Sequence, residues 1–509
     1  MAATPRERFV EVAKVVAVVW AVSLLTRAAF LTVGFTNVDE GAHMVGAREL
    51  LAGGRLYVDF ADNKPPIIYA FYALAPVLGA GPLGVRLLAA LVGLPAIAVS
   101  LAAFFDFDRR GRAAAVLFLV ASATLLPSDA HAINGEHIFL IPIAAAVALT
   151  RAPASLARPG RMLLVGALVG LASLAKQPAA LCGVAFAWSA LRTPGLASTR
   201  RLAVLACLAA GFVLPLAAAV AFFARQGSLD AFVFWVYRYN LVHVNNPMPL
   251  GDRLLQLLEM GSVLIPSVGT LALAYALGAR AGVLAEDLHR RRLIAGLVVT
   301  TLLPAFLGWR LFGHYFVPTL FALSLGAAPY LVDLRSPARK AMAGVLVVGL
   351  VAFTIGGRVV HDPARHLTDV DDPRYEGLAA QMPARCGVAR PLFVWGYAPQ
   401  LYVQSGLRPA SRFVVPIDTI TGYIVGNDAF ARGAIDTRNR IVPEHWDWLM
   451  ADLERSRPEY IVDTAPGDLN HWARYPLTDF PRLDAFVRRD YRVHATVGGA
   501  VVYRRADCP

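Results

Sequence analysis

The sequence predicts an α-helical polytopic membrane protein of about eleven transmembrane helices, followed by a C-terminal extracytoplasmic α/β domain. Three observations carry this. Of 509 residues, 57% are hydrophobic and only 17% charged, the composition of a chain that crosses a bilayer repeatedly. Apolar runs recur from Val15 to about Gly357, after which the pattern turns polar and stays so. Basic clusters fall in alternate loops between those runs, as the positive-inside rule requires. The expected division is therefore a membrane domain over 1–357 and a soluble domain over 358–509, an ordinary domain size.

Spans are expected over 13–34, 84–105, 113–128, 137–150, 162–175, 177–191, 202–224, 260–279, 293–309, 314–332 and 341–357. Residues 162–191 are short for two ideal crossings of ~20 residues each. Taken as one crossing, they put every later basic cluster outside, so two short spans hinged at Lys176-Gln177-Pro178 are expected. The N-terminus then lies in the cytoplasm. The loops 35–83, 127–136 and 225–258 and the C-terminal domain lie outside. A net charge of +12 would suit a nucleic-acid partner, but its alternation makes it topological. The first span has a basic front and no small-residue cleavage pattern, and reads as a retained anchor. Cys182 and Cys207 fall in spans as small apolar residues. Cys386 and Cys508 fall in the outer domain, where a disulfide between them is left open.

The loop Phe35–Tyr72 holds the densest chemistry: Asp39-Glu40, Asp59, Asp62 and Lys64-Pro65-Pro66. A connection between spans needs only a few residues, and carboxylates at a membrane surface are costly unless used or paired. Gly41 to Leu51 reads as an amphipathic helix, with Ala42, Val45, Leu50 and Leu51 on the membrane and His43, Arg48 and Glu49 wet. The acid pair then caps its start, or Asp39 serves as a general base. Lys64 opens the next helix, where it either snorkels to headgroups or holds a phosphate at the helix start. Arg86, just inside the second span, needs an anionic partner or water.

Later outer loops add weaker signals. In Pro127–His137, the residues Asp129, His131, Glu136 and His137 fit no metal-ligand spacing, and the histidines read as solvated. Glu136 stands at the mouth of a span as a second acid facing the first loop. Lys176 sits at an outer turn. Phe232, Phe234, Trp235, Tyr237 and Tyr239 suit an interfacial aromatic belt, and Arg238, His243, Asn245 and Asn246 add groups able to bind sugars or phosphates. Arg310, His314 and Tyr315 either clamp a phosphate or extend the belt. Beyond Arg358, strands are expected at Leu392–Trp395, Tyr460–Asp463, Arg492–Thr496 and Ala500–Tyr503. Helices near 373–383, 397–405, 443–456 and 479–488 separate them, an α/β pattern. It contains no glycine-rich phosphate fingerprint and no nucleophile elbow, which leaves it a role in acceptor binding or in covering the membrane site.

An Asp-Glu pair after span one, a helix, a Gly–Tyr–x–Asp stretch and then Lys-Pro-Pro resembles the GT-C membrane glycosyltransferases. The most similar set is the family of protein O-mannosyltransferases and lipid A aminoarabinose transferases. Asn134-Gly135-Glu136, Leu174-Ala175-Lys176-Gln177-Pro178 and His314-Tyr315-Phe316 follow in the same order. The resemblance implies a GT-C fold and transfer of a sugar from a polyprenyl-phosphate donor to an envelope acceptor, with inversion. It implies Asp39 as the catalytic carboxylate, with Glu40 its neighbour. Lys64 falls on the donor phosphate, assisted by Arg86 and joined by Arg310, His314 and Tyr315. Glu136 becomes the second-loop acid, and Asp59, Arg238 and Lys176 line the substrate. No cofactor is required, and a divalent cation has no ligand pattern behind it. The C-terminal domain departs from the protein mannosyltransferases, so the acceptor is left as lipid, glycan or protein. A flippase of lipid-linked saccharides is the alternative; it predicts charges and broken helices near mid-bilayer, whereas these residues cluster in outer loops.

Overall fold

The computed structural model describes residues 5–243, 249–285, 287–332, 372–383, 391–415, 418–423 and 438–507, with isolated positions between 337 and 348. Asn245, Asn246, Cys386, Cys508 and almost all of the expected span 341–357 fall outside these residues.

Among the described residues five helices are long and apolar enough to cross a bilayer: Phe9–Phe30, Gly81–Phe104, Ser198–Arg225, Leu288–Trp309 and Gly313–Val332. A sixth crossing exists if Leu250–Ser262 and Ile265–Arg280, bent by 62°, count as one. Eleven were expected. Of the other expected spans, 341–357 lies almost wholly outside the described residues. The remaining four are short: Arg109–Ala123, Gly135–Leu149 and Pro159–Ser173 have 15 residues each, and Gln177–Leu191 is no longer. At about 1.5 Å per residue such a helix falls short of a hydrocarbon core ~30 Å thick. The expected hinge is present, since one helix ends at Ser173 and a 3₁₀ turn begins at Gln177 with Pro178 in its first turn. Helices Pro159–Ser173 and Ser198–Arg225 approach to backbone contact. A Cβ on Gly166 would lie 2.0 Å from the Leu208 carbonyl, and one on Gly211 2.0 Å from that of Leu163. Small residues allow such approach in membranes.

After residue 390 the chain forms a five-stranded sheet, from β1 (Pro391–Trp395), β2 (Arg408–Pro409), β3 (Tyr460–Asp463), β4 (Tyr491–Val497) and β5 (Ala500–Arg505), in the order β2-β1-β3-β5-β4. The pairs β2–β1 and β1–β3 are parallel, while β5 runs antiparallel to β3 and β4. Helices Pro373–Ala380, Gln400–Gln404, Pro443–Ser456 and Pro481–Asp490 accompany them. β1 and β3 are buried almost throughout, as strands covered on both faces are.

The loop after the first span carries α2 at Val38–Leu51 and α3 at Pro66–Ala73, following α1 at Pro5–Arg27. Its apolar residues Val38, Val45, Tyr57, Phe60 and Tyr69 share one core with Phe232 and Trp235 and with Trp395, Leu401 and Phe413 of the C-terminal part. This corrects the reading of α2 as a helix lying on the membrane. His43 and Glu49, expected wet, are buried, and Leu51 is 63% exposed. Arg48 donates to the Tyr402 carbonyl at 3.0 Å, Arg408 pairs with Glu49, and the Ala61 amide donates to the Arg412 carbonyl at 2.9 Å. The C-terminal part therefore sits on the chemistry-bearing loop.

Candidate active site

Asn37 caps α2 by accepting from the Asp39 amide at 2.8 Å, which sets Asp39 and Glu40 in the first turn, where the helix dipole favours anions. The two acids then take different partners. Glu40 is buried and forms a two-pronged pair with Arg86, at 3.2 Å to Nε and 2.9 Å to Nη2. Asp39 accepts from Lys64 Nζ at 3.2 Å, and the two side chains keep 29% and 31% exposure, so the pair stays open to a ligand.

Lys64 is held in place by its own backbone. Its carbonyl accepts from the Tyr57 hydroxyl at 2.8 Å, and the Asn63 carbonyl accepts from Asn240 at 2.9 Å. Pro65 then caps α3 and Pro66 opens it, where no amide donor is needed. Burial disfavours charge on both members of the pair, yet each stays ionised. Asp39 is held well below the usual carboxylate range by the Lys64 ammonium. Lys64 is pushed above its ordinary value by Asp39 and Asp62. Burial lowers His43 to about 3 against the pull of Asp39, so its ring is neutral. Burial raises Asp62, opposed by Lys64 and by the Tyr69 hydroxyl that donates to it at 2.7 Å.

A second set of groups faces this pair. Lys176 pairs with Glu136 and lies 4.4 Å from the centre of the Tyr315 ring. His314 contacts Asp129 at 2.6 Å and stacks on Phe312. Arg310 is half-buried, and among the described residues its guanidinium makes no ion pair. Its charge reaches Tyr397, as do those of Asp39 and Asp62. Among the described residues no group of three or more His, Cys, Asp and Glu side chains is arranged to hold a metal ion.

Several expected site residues stand elsewhere. Arg86 uses all its N–H groups internally: besides Glu40 it donates to the carbonyls of Phe30, Val33 and Gly34 at 2.6–2.7 Å. That leaves no donor for a carrier phosphate, and Glu40 is its counter-ion. Asp59, expected to line the substrate, closes a surface turn by accepting from the Arg55 amide at 2.8 Å, whereas Asp62 is the acid that acts on Lys64 besides Asp39. Arg238 is exposed on the π-helical turn Phe234–Arg238. The loop expected to be solvated is buried at Asp129, His131, Glu136 and His137. His43, Asp62, Asp129 and Tyr397 went unassigned in the sequence reading. The spacing of Asp39 and His43, four apart on one helix, is the signal that was available for one of them.

No family model matches the sequence, and no curated protein matches it. Solved structures do. The crystal structure of ArnT from Cupriavidus metallidurans bound to undecaprenyl phosphate superposes with a TM-score of 0.57 at 17% identity, over 98% of each chain. The same protein in the apo state gives 0.55 at 17% identity over 97% of each. The chain has the ArnT fold. The GT-C resemblance drawn from the first loop agrees with this likeness, which extends through the helices and the C-terminal sheet alike.

Proposed function

We propose that the protein is a membrane glycosyltransferase that moves a sugar from a polyprenyl-phosphate carrier to an envelope acceptor at the outer face of the membrane. The half-exposed Asp39–Lys64 pair carries the reading, on a fold shared with an ArnT that was solved with undecaprenyl phosphate. An ammonium has three donors. One meets Asp39, and among the described residues the others have no partner, so Lys64 bridges base and leaving group. Asp39 takes the proton of the acceptor hydroxyl as that oxygen bonds to the anomeric carbon. The bond from that carbon to the phosphate oxygen breaks, and its electron pair leaves on the carrier phosphate. Lys64, Lys176 and Arg310 stabilise the charge that develops there, while His314 and Tyr315 shape the cleft. Displacement from the far face inverts the anomeric centre. A carrier phosphate leaves readily once its charge is held, so the chemistry calls for no cofactor.

Lys64→Ala removes a charge-assisted bond, about 1.5–3 kcal/mol. The dissociation constant for undecaprenyl phosphate is expected to rise roughly tenfold to a hundredfold. Unchanged affinity in a titration of purified protein counts against the phosphate contact.

The proposal includes the topology read from charge alternation: eleven crossings within 1–357, a cytoplasmic N-terminus, and the site and residues 358–509 outside. A reporter enzyme joined after Asp507 is expected to be active only outside the membrane. Activity on the cytoplasmic side overturns the orientation.

A further inference from the structure

The loop leaving β1, residues 396–399, and the start of the helix that follows it lie directly on the first turns of α2. A Cβ on Gly41 would stand 2.9 Å from the Gln400 amide nitrogen and 3.3 Å from the Pro399 carbonyl carbon. Gly41 is two residues from Asp39, so this backbone contact brings Tyr397 to the carboxylate end of the helix. The loop is fixed from both sides. Asn470 donates to the Tyr397 carbonyl at 2.8 Å from a turn in which Asp468, Asn470 and His471 all have positive φ. Arg48 and the Glu49–Arg408 pair fasten the following segment to α2. A run of left-handed residues is costly and persists where the surroundings over-determine it.

Tyr397 is buried, with its ring 5.4 Å from that of Tyr423. Among the described residues its hydroxyl makes no hydrogen bond, although Asp39, Asp62 and Arg310 are within electrostatic reach. One turn along α2 from Asp39, His43 is 1% exposed, and neither of its ring nitrogens has a hydrogen-bond partner among the described residues. Buried polar groups are normally satisfied. His43 is an exception, the Tyr397 hydroxyl also lacks a protein partner among the described residues, and both stand within electrostatic reach of Asp39, an arrangement that suits a polyhydroxy ligand. A phosphate does not explain them, because a phenol and a neutral imidazole supply no positive charge.

We infer that the C-terminal part completes the transfer site, with the Tyr397 hydroxyl binding a hydroxyl of the carrier-linked sugar beside Asp39 and His43 taking a second. The inference rests on the proposed function for the identity of the ligand. It makes the C-terminal part a source of sugar specificity, whereas Lys64 recognises the carrier whatever sugar it bears.

The test compares the full-length protein with Tyr397→Phe, which keeps the ring packing on Tyr423. Binding is measured for undecaprenyl phosphate, bare and loaded with glucose, mannose or arabinose, both in the Asp39 protein and in an Asp39→Asn background where turnover cannot distort the constants. Wild type should bind one loaded carrier more tightly than the bare one. Tyr397→Phe should weaken that advantage about threefold to tenfold and leave the bare carrier unchanged, which also shows that the variant is folded. Equal contrast in both proteins overturns the inference, as does a wild type that binds no loaded carrier better than the bare one. Failure of the proposed function looks different, namely sugar-dependent binding without release of carrier phosphate by the wild type.

Discussion

Asp39→Asn is expected to lower sugar transfer by about 10²–10⁴-fold, the usual contribution of a positioned general base, while the protein stays folded. The size follows from the surroundings of Asp39. Its carboxylate is held ionised by Lys64 at 3.2 Å and remains open enough to meet an acceptor. Asparagine keeps the shape, accepts from Lys64 through its amide oxygen, and cannot take a proton. Binding of bare carrier should therefore change little, and the loss should appear in turnover. Steady-state transfer by the purified variant checks this. Turnover within twofold of wild type removes Asp39 as the base and shifts attention to Asp62, the next carboxylate along the same wall.

Arg86→Met is expected to destabilise the protein strongly. Removing one member of a buried ion pair costs about 3–5 kcal/mol. Here the loss also strips donors from the carbonyls of Phe30, Val33 and Gly34, where the first long apolar helix gives way to the loop that carries α2. Glu40→Gln should cost less, because Arg86 keeps its three carbonyls and an amide oxygen. The ranking separates two roles for Arg86. A structural clamp predicts a large fall in thermal stability in detergent for Arg86→Met and a smaller one for Glu40→Gln. A ligand of the carrier phosphate predicts unchanged stability and weakened carrier binding.

Much of this arrangement was legible in the sequence because it depends on local pattern. Hydropathy located the helical stretches, and the Lys176-Gln177-Pro178 break stands where proline placed it. Asp39 and Lys64 were each legible as site candidates because they stand at the starts of successive helices of one loop, but their ion pair was not. What the sequence concealed depends on partners far along the chain. The amphipathic reading of α2 supposed lipid beneath it, whereas residues some 350 positions later cover it through Arg48–Tyr402 and Glu49–Arg408. That substitution turned His43 from a wet residue into a buried one. Asp129 and His314 meet across 185 residues, so the loop that read as solvated is closed by a second one. Arg86 was rightly seen to need an anion, but hydropathy does not say that Glu40 and three carbonyls supply it. β2, at two residues, is too short to leave any periodicity. One available signal was missed: glycines at 41 and 46 of α2 mark close approach, since a Cβ on Gly46 would lie 2.6 Å from the Tyr69 ring.

The central claim is that Asp39 and Lys64 carry out transfer from a lipid-linked sugar. It is tested most directly by following release of free carrier phosphate from undecaprenyl phosphate loaded with different sugars, using purified wild type and Asp39→Asn. The account predicts release by wild type from at least one donor, matched by sugar on an acceptor, with the variant nearly silent. Equal release by both proteins contradicts the role of Asp39. No release from any donor, with sugar-loaded carrier crossing reconstituted bilayers instead, contradicts the enzyme and makes the protein a transporter.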